Sequence, residues 1–331
     1  MEKFRAIVSR ENSDNTFSYG FEELNFDFLP KNDVLIKVHY TALNYKDALV
    51  AKGHKGIARN YPTIPGVDAA GEIVETNDST FRVGEKVIVT GHDLGMNTPG
   101  GFAEYISVPS SWVVPCPINL SLKEAMAFGT AGVTAGICVN EIIKSDIEPQ
   151  DGKIVVTGST GGVGTMAIGI LDKLGYKVVA VSGKQEKIDW LKSIGADEVI
   201  PREELLIESN RPLLSSKWIG AIDNVGGLML ENLLKTTGHH GVVCSVGLVS
   251  SDKFSTTVYP FILRGLKLIG IDSAERGLEQ KLSIWLKLTE HWKPKNFSNM
   301  YREVKFDNII EEIEKIHKGG QVGKVLINVA G

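Results

Sequence analysis

The chain is poor in cysteine, lacks a long uncharged run and carries little net charge. Each of these lacks closes off a class of protein. Cys116, Cys138 and Cys244 are its three cysteines among 331 residues. They are too few and too scattered for a disulfide framework or a four-cysteine zinc lobe. The longest nearly uncharged apolar stretch, Ala125–Val139, is about 15 residues rich in Gly, Ala and Thr, short of the ~20 that a spanning helix needs. Residues Met1–Ser9 have no apolar core of the length a secretory signal requires. A cytoplasmic protein without a membrane partner is expected. Lys and Arg number 36 against 40 Asp and Glu, a net charge of −4, so nothing advertises a nucleic-acid surface. No internal repeat or low-complexity tract is present.

Glycine is abundant, and it clusters. From Lys153 the chain reads Lys-Ile-Val-Val-Thr-Gly-Ser-Thr-Gly-Gly-Val-Gly, ending at Gly164. A β-branched run leads into the glycines. Met166, Ile170, Leu171 and Leu174 then recur at helical spacing up to Gly175, and Tyr176–Ser182 is a second apolar run. Strand, glycine turn, helix, strand is the unit that lays a dinucleotide pyrophosphate on backbone N–H groups at a helix N-terminus. Gly161 or Gly162 permits close approach of phosphate, and Gly164 lets helix and strand pack closely. Thr160, Gly161, Gly162 and Val163 are the expected contacts.

The tip of the second strand chooses between cofactors. An NAD site places Asp or Glu there to hold the ribose 2′-OH. This chain has Ser182, Gly183 and Lys184, a set suited to a 2′-phosphate, although Glu186 is near. NADPH is the expected cofactor, with Lys184 otherwise an ordinary solvated lysine.

Length and pattern divide the chain in two. Residues 1 to about 120 are rich in short alternating segments, such as Val34–Tyr40, Gly71–Glu75, Arg82–Thr90 and Phe102–Val108, punctuated by Gly and Pro. That pattern suggests a compact barrel. Ser121 with Glu124 forms a capping-box signature for a helix. Beyond residue 150, strands near 154–157, 177–181, 197–200, 219–223, 242–246 and 267–271 alternate with helices such as Gln185–Ile194 and Leu228–Thr237, which predicts a doubly wound parallel sheet. The C-terminus returns to a strand at Val304–Phe306, a helix at Asp307–Lys318 and a strand at Gly323–Val329, expected to rejoin the N-terminal domain. A ligand is expected in the cleft between domains.

Across nearly the whole length the layout resembles the medium-chain dehydrogenase/reductase superfamily. Leu43–Ala48, Pro65–Gly71, Gly129–Gly132, Asp223–Gly227, Pro260–Arg264 and Gly270–Ser273 are similar to segments of its YhdH/YhfP family, whose members are labelled quinone oxidoreductases or NADPH-dependent acryloyl-CoA reductases. The resemblance implies an α/β protein with a GroES-like β-barrel catalytic domain (residues 1–122 and 292–331). It also implies a Rossmann NADP-binding domain with a doubly wound, parallel six-stranded sheet (residues 123–291). Where superfamily members with catalytic zinc carry a thiolate and a His-Glu pair, this chain has Asn44 and Val67-Asp68. Asn and Val offer none of the N or S ligands zinc prefers, and His92 reads as a stray ligand or, more often for a loop His without partners, as a solvated residue, so no metal is expected. Without a Lewis acid to acidify an alcohol, hydride delivery to an electrophilic carbon is the accessible reaction. The expected substrate is a quinone or a C=C conjugated to a carbonyl, such as a short enoyl-CoA. The alternative is a non-catalytic NADPH-binding sensor or structural protein.

The resemblance also implies site residues. Tyr45 belongs beside the nicotinamide, where its hydroxyl either orients the ligands or donates a proton, or its ring only packs on the cofactor. Asp47 either serves a proton relay or fixes its loop by an Asx turn. Thr130 contacts the nicotinamide or packs at a helix start. Arg202 reaches adenine or the 2′-phosphate, or pairs with Glu203 or Glu204 on the surface. Leu248, Ile262 and Ser273 match positions lining the nicotinamide half, Leu248 and Ile262 being otherwise plain core residues. Lys324 is a further basic candidate for phosphate. Lys52, Lys55 and Arg59 are either a rim for CoA phosphates or a solvated loop. An apolar edge strand at Gly265–Asp272 implies a homodimer.

Overall fold

A computed structural model describes residues 3–331. It divides into two compact units: residues 1–130, 274–289 and 301–331 form one, and residues 131–273 and 290–300 the other. The sequence expectation places the boundaries at 122/123 and 291/292. The difference falls on the segment 274–289, whose helix Leu278–Thr289 belongs with the first unit.

The first unit is built on a seven-stranded sheet. In spatial order it runs Tyr301–Lys305, Lys324–Asn328, Val34–Leu43, Asp68–Thr76, Lys86–Thr90 and Val114–Pro115, with Tyr105–Val108 pairing off Val34–Leu43. The long strand Val34–Leu43 organises it. It lies antiparallel to Asp68–Thr76 on one side and, through Val325 opposite Leu43, to Lys324–Asn328 on the other. Its C-terminal end therefore meets the N-terminal ends of both neighbours, which brings Asn44, Asp68 and Lys324 together from distant parts of the chain.

A hairpin, Phe4–Glu11 with Phe17–Leu24, joins this sheet through bridges at Ala6–Ala103 and Ser9–Thr63. Alternating inward residues such as Ile36, Val38, Ile73, Val87, Val89, Ile106 and Ile327 fill the core. The C-terminal helix Ile309–His317 lays Ile309, Ile313 and Ile316 into the same core, with Ile310 packed at its edge. It packs against the short helix Tyr45–Ala51.

The second unit holds a six-stranded sheet in the order Glu198–Pro201, Lys177–Ser182, Lys153–Val156, Trp218–Asp223, Thr237–Ser245 and Lys267–Gly270. Every neighbouring pair is parallel. Numbered along the chain this is 3-2-1-4-5-6, with the order reversing at the first strand, where such sheets bind ligands. Strands buried on both faces read as continuous apolar runs, which is why Ile154–Val156 and Val178–Val181 stood out in sequence.

The apolar helix Leu122–Lys144 is long and apolar enough to pass a length-and-composition test for a membrane span, but 78% of its most apolar window is buried in the protein. It is also broken at Gly129, whose φ of 51° and ψ of −158° are not helical. At its start Ser121 Oγ accepts the Glu124 N–H at 3.2 Å and Glu124 accepts the Ser121 N–H at 3.2 Å, the capping box expected from sequence.

Candidate active site

The glycine turn has the form its sequence predicts. The helix Gly162–Lys173 follows it with Gly161 as N-cap, and no side chain caps it. The first helical N–H groups have no partner within the helix, so backbone donors are left for an anion. Gly158 has φ +59°, and a Cβ on Gly164 would lie 2.4 Å from the Gly158 carbonyl oxygen. Gly164 is thus the close-packing glycine. Gly161, Gly162 and Val163 stay partly exposed, while Thr160 is buried at the turn. These residues fit a pyrophosphate.

At the tip of the neighbouring strand, Ser182 Oγ accepts the Lys184 N–H at 3.0 Å. A Cβ on Gly183 would meet the Arg202 side chain at 3.0–3.3 Å, so Arg202 lies directly over Gly183. The Arg202 guanidinium also pairs with Glu203 at 3.2 Å, and both side chains are largely exposed. Ser182, Gly183, Lys184 and Arg202 therefore come together at the strand tip. The cluster fits a 2′-phosphate.

Leu248 and Ile262 are 66% and 68% exposed, so neither is a core residue. Their apolar side chains stand in solvent in this unit. Ser273 accepts a hydrogen bond from the Thr134 hydroxyl at 2.8 Å.

In the first unit, Tyr45 opens the helix Tyr45–Ala51 and is 41% exposed. Two residues on, Asp47 is sealed at 0% exposure. Its Oδ2 accepts the Asn44 N–H at 2.7 Å and its Oδ1 accepts the Val67 N–H at 2.9 Å. Both oxygens are occupied by backbone donors, as in a capping box, and the carboxyl has no surface from which to reach a ligand. Burial, reinforced by the charge of Asp68, raises its pKa to about 7.

Beside it lies a cluster that the sequence pointed to only in part. Asp68, 0% exposed, accepts Thr130 N–H at 2.8 Å and Thr130 O–H at 2.6 Å on Oδ1. On Oδ2 it accepts the Asn44 amide at 2.8 Å and faces the Lys324 ammonium at 3.5 Å. Lys324, 1% exposed, also donates to Asn44 Oδ1 at 2.5 Å and to the Leu43 carbonyl at 3.2 Å. Burial pulls the Lys324 pKa down, and Asp68 and Asp47 pull it back up. A buried ammonium held this way has no path to a cofactor phosphate, which corrects the phosphate candidacy of Lys324. A clue did exist in sequence, since a lysine heading the apolar run Val325–Ile327 needs a buried partner.

Two further expectations change. Lys52 pairs with Glu314 at 2.7 Å and Lys55 with Glu11 at 2.5 Å. Two of the three candidate CoA-binding cations are thus already neutralised within the protein. His92 is not a solvated loop residue. It is buried, stacked on Trp112 with ring centroids 5.2 Å apart, and its Nε2 lies 2.8 Å from the buried Lys281 ammonium. Burial, then the Lys281 charge, lowers its pKa to about 4, so it stays neutral as an acceptor.

The two units define a class: a dehydrogenase or reductase that joins a GroES-like domain to a dinucleotide-binding parallel sheet. The family model of the alcohol dehydrogenase GroES-like domain matches residues 30–118 and that of the zinc-binding dehydrogenases matches residues 162–287. YhfP of Bacillus subtilis, provisionally named a quinone oxidoreductase, is 41% identical over 98% of this chain and 99% of its own. Its crystal structure, with NAD bound, superposes with a TM-score of 0.96 over 99% of this chain and all of that one. The acrylyl-CoA reductase AcuI of Ruegeria pomeroyi is 35% identical over 98% of both chains. The YhdH oxidoreductase of Salmonella enterica, solved in complex with NADP, is 38% identical over 98% of this chain and 99% of its own, with a TM-score of 0.95. The chain belongs to this YhdH/YhfP family of the medium-chain dehydrogenase/reductase superfamily.

Zinc, which the second family model carries in its name, does not fit these residues. Asn44 and Asp68 are already bound to the Lys324 ammonium and to each other. Val67 offers only an apolar side chain and a backbone N–H that is given to Asp47. Among the described residues no group of three or more His, Cys, Asp or Glu side chains is placed to hold a metal.

Proposed function

We propose that this protein is an NADPH-dependent reductase that transfers hydride, without zinc, to a quinone or to the C=C bond of a short enoyl thioester. The observation that carries the reading is the tip of the second parallel strand. There Arg202 lies over Gly183 beside Ser182 and Lys184, next to a helix N-terminus with no side-chain cap. The names of YhfP and AcuI supply the two electrophiles.

NADPH, when bound, supplies the hydride. Backbone N–H groups of Gly161–Gly164 hold the pyrophosphate, with Thr160 at the turn. Ser182, Gly183, Lys184 and Arg202 hold the 2′-phosphate. Tyr45, Thr130, Leu248, Ile262 and Ser273 are assigned to the nicotinamide half. Hydride arriving at the β-carbon of an enoyl thioester leaves negative charge on the thioester oxygen, which needs a hydrogen-bond donor. The exposed Tyr45 hydroxyl is assigned that role. Asp47 serves as the residue that holds the Tyr45 helix in place, through Asn44 and Val67. We further propose a cytoplasmic homodimer, paired through the sheet edge Lys267–Gly270, which has a neighbouring strand on one side only.

Purified protein mixed with NADPH and, separately, benzoquinone, acryloyl-CoA and crotonyl-CoA is expected to consume the nicotinamide absorbance with at least one acceptor. Tight NADPH binding without turnover of any acceptor would contradict the reading. Light scattering is expected to give twice the chain mass; a monomer at micromolar concentration would remove the dimer.

A further inference from the structure

We infer that Asp68 and Lys324 form a buried positioning pair that sets Tyr45 and Thr130 against the nicotinamide half of the cofactor. The inference rests on the cofactor reading above and extends it to two residues that cannot themselves reach a ligand, at 0% and 1% exposure.

One carboxylate ties two segments that are far apart in sequence. Its Oδ1 takes both the N–H and the O–H of Thr130, and its Oδ2 takes the amide of Asn44, the residue immediately before Tyr45. Lys324 closes the arrangement by donating to Asn44 Oδ1 and to the Leu43 carbonyl, so it grips the other half of the same amide and the end of the same strand. All four polar atoms of the Asn44 and Asp68 side chains are engaged. Tyr45 and Thr130 are thus located by one charge centre whose members lie 256 residues apart in the chain.

The backbone is shaped to admit this centre. At Gly129 the helix breaks with φ +51°, and a Cβ there would lie 2.6 Å from Asp68 Oδ2 and 3.4 Å from Lys324 Cε. Only glycine combines that conformation with that approach. The break is what turns Thr130 onto Asp68. Groups held in fixed geometry by a sealed hydrogen-bonded network are what orienting a cofactor requires.

Single loss of either partner strands a buried charge, so the informative variant removes both charges and keeps the shape: Asp68→Asn with Lys324→Met. NADPH affinity is compared with that of adenosine 2′,5′-bisphosphate, which carries the 2′-phosphate end and no nicotinamide, each by calorimetric titration. We expect the double variant to weaken NADPH at least tenfold and to change adenosine 2′,5′-bisphosphate by less than twofold. Asp68→Asn alone, which keeps the shape but leaves the Lys324 ammonium without its carboxylate, should show the same split at least as strongly, which gives a second reading if the double variant fails to fold. Equal losses for both ligands, or no loss for either, would reduce the pair to packing. Failure of the wild-type protein to bind adenosine 2′,5′-bisphosphate would overturn the cofactor reading itself, and this role with it.

Discussion

The glycine turn at 158–164 and the charge cluster of Asn44, Asp47, Asp68 and Lys324 are opposite solutions to holding charge. The turn presents backbone N–H groups to the outside and keeps side chains away, with Gly161 as cap and Gly164 packed on the Gly158 carbonyl. In the cluster Asp47, Asp68 and Lys324 are fully buried, Asn44 is half-buried, and the polar atoms are spent on one another and on the backbone. An anion site must stay open and unsatisfied until its ligand arrives, whereas a buried ion pair is stable only when every member is satisfied.

The comparison can be broken first at its tightest point. Lys324→Met leaves Asp68 buried without its cation and is expected to destabilise the protein by about 3–5 kcal/mol in urea denaturation. Adding Asp68→Asn should return most of that loss, and a double variant as unstable as the single would show that shape, not charge, dominates. In the turn, Gly164→Val forces side-chain atoms onto the Gly158 carbonyl. A loss of about 1–3 kcal/mol is expected, together with loss of dinucleotide binding; unimpaired binding would mean that the turn is not the phosphate site.

Lys184→Glu acts on a half-buried group outside the core and is expected to cost less stability than either change above. It is expected to weaken NADPH roughly ten- to a hundredfold, the range of one charge-assisted hydrogen bond, and NADH far less. Equal losses would remove the 2′-phosphate from the Ser182–Lys184 tip.

A further effect concerns pH. Burial and Asp68 raise Asp47 to about 7 in the folded protein, above the ordinary carboxylate value near 4. The native state therefore keeps a proton that the unfolded chain has released. The stability this contributes is full below about pH 4 and is lost as pH rises through about 7. Asn at 47 does not titrate, so wild-type stability relative to Asp47→Asn should fall between about pH 4 and pH 7. A constant difference would show that Asp47 keeps an ordinary pKa.

The same comparison explains what was legible in sequence. The turn, the six parallel strands and the capping box at Ser121 are local, and their signals lie within a few residues of one another. The hairpin Phe4–Leu24 was not resolved in sequence beyond a β-rich reading, because Arg10–Asn15 and Glu22–Glu23 interrupt its apolar alternation. The cluster depends on which strands flank Val34–Leu43, and that follows from topology, not from spacing. In sequence Asn44 and Asp68 read as lost zinc ligands, and Lys324 as a basic candidate for phosphate. Their meeting required the antiparallel pairing of Leu43 with Val325. Lys52 and Lys55 looked like a cationic rim because Glu314 and Glu11, their partners, are distant in sequence.

Where superfamily members with catalytic zinc carry metal ligands, this NADPH-dependent reductase has Asn44 and Asp68 tied to the Lys324 ammonium. The most direct measurement is NADPH oxidation by benzoquinone and acryloyl-CoA before and after exhaustive dialysis against a strong zinc chelator. The prediction is turnover of at least one acceptor at a rate that chelation leaves unchanged. Activity that disappears on chelation and returns with added zinc would contradict it.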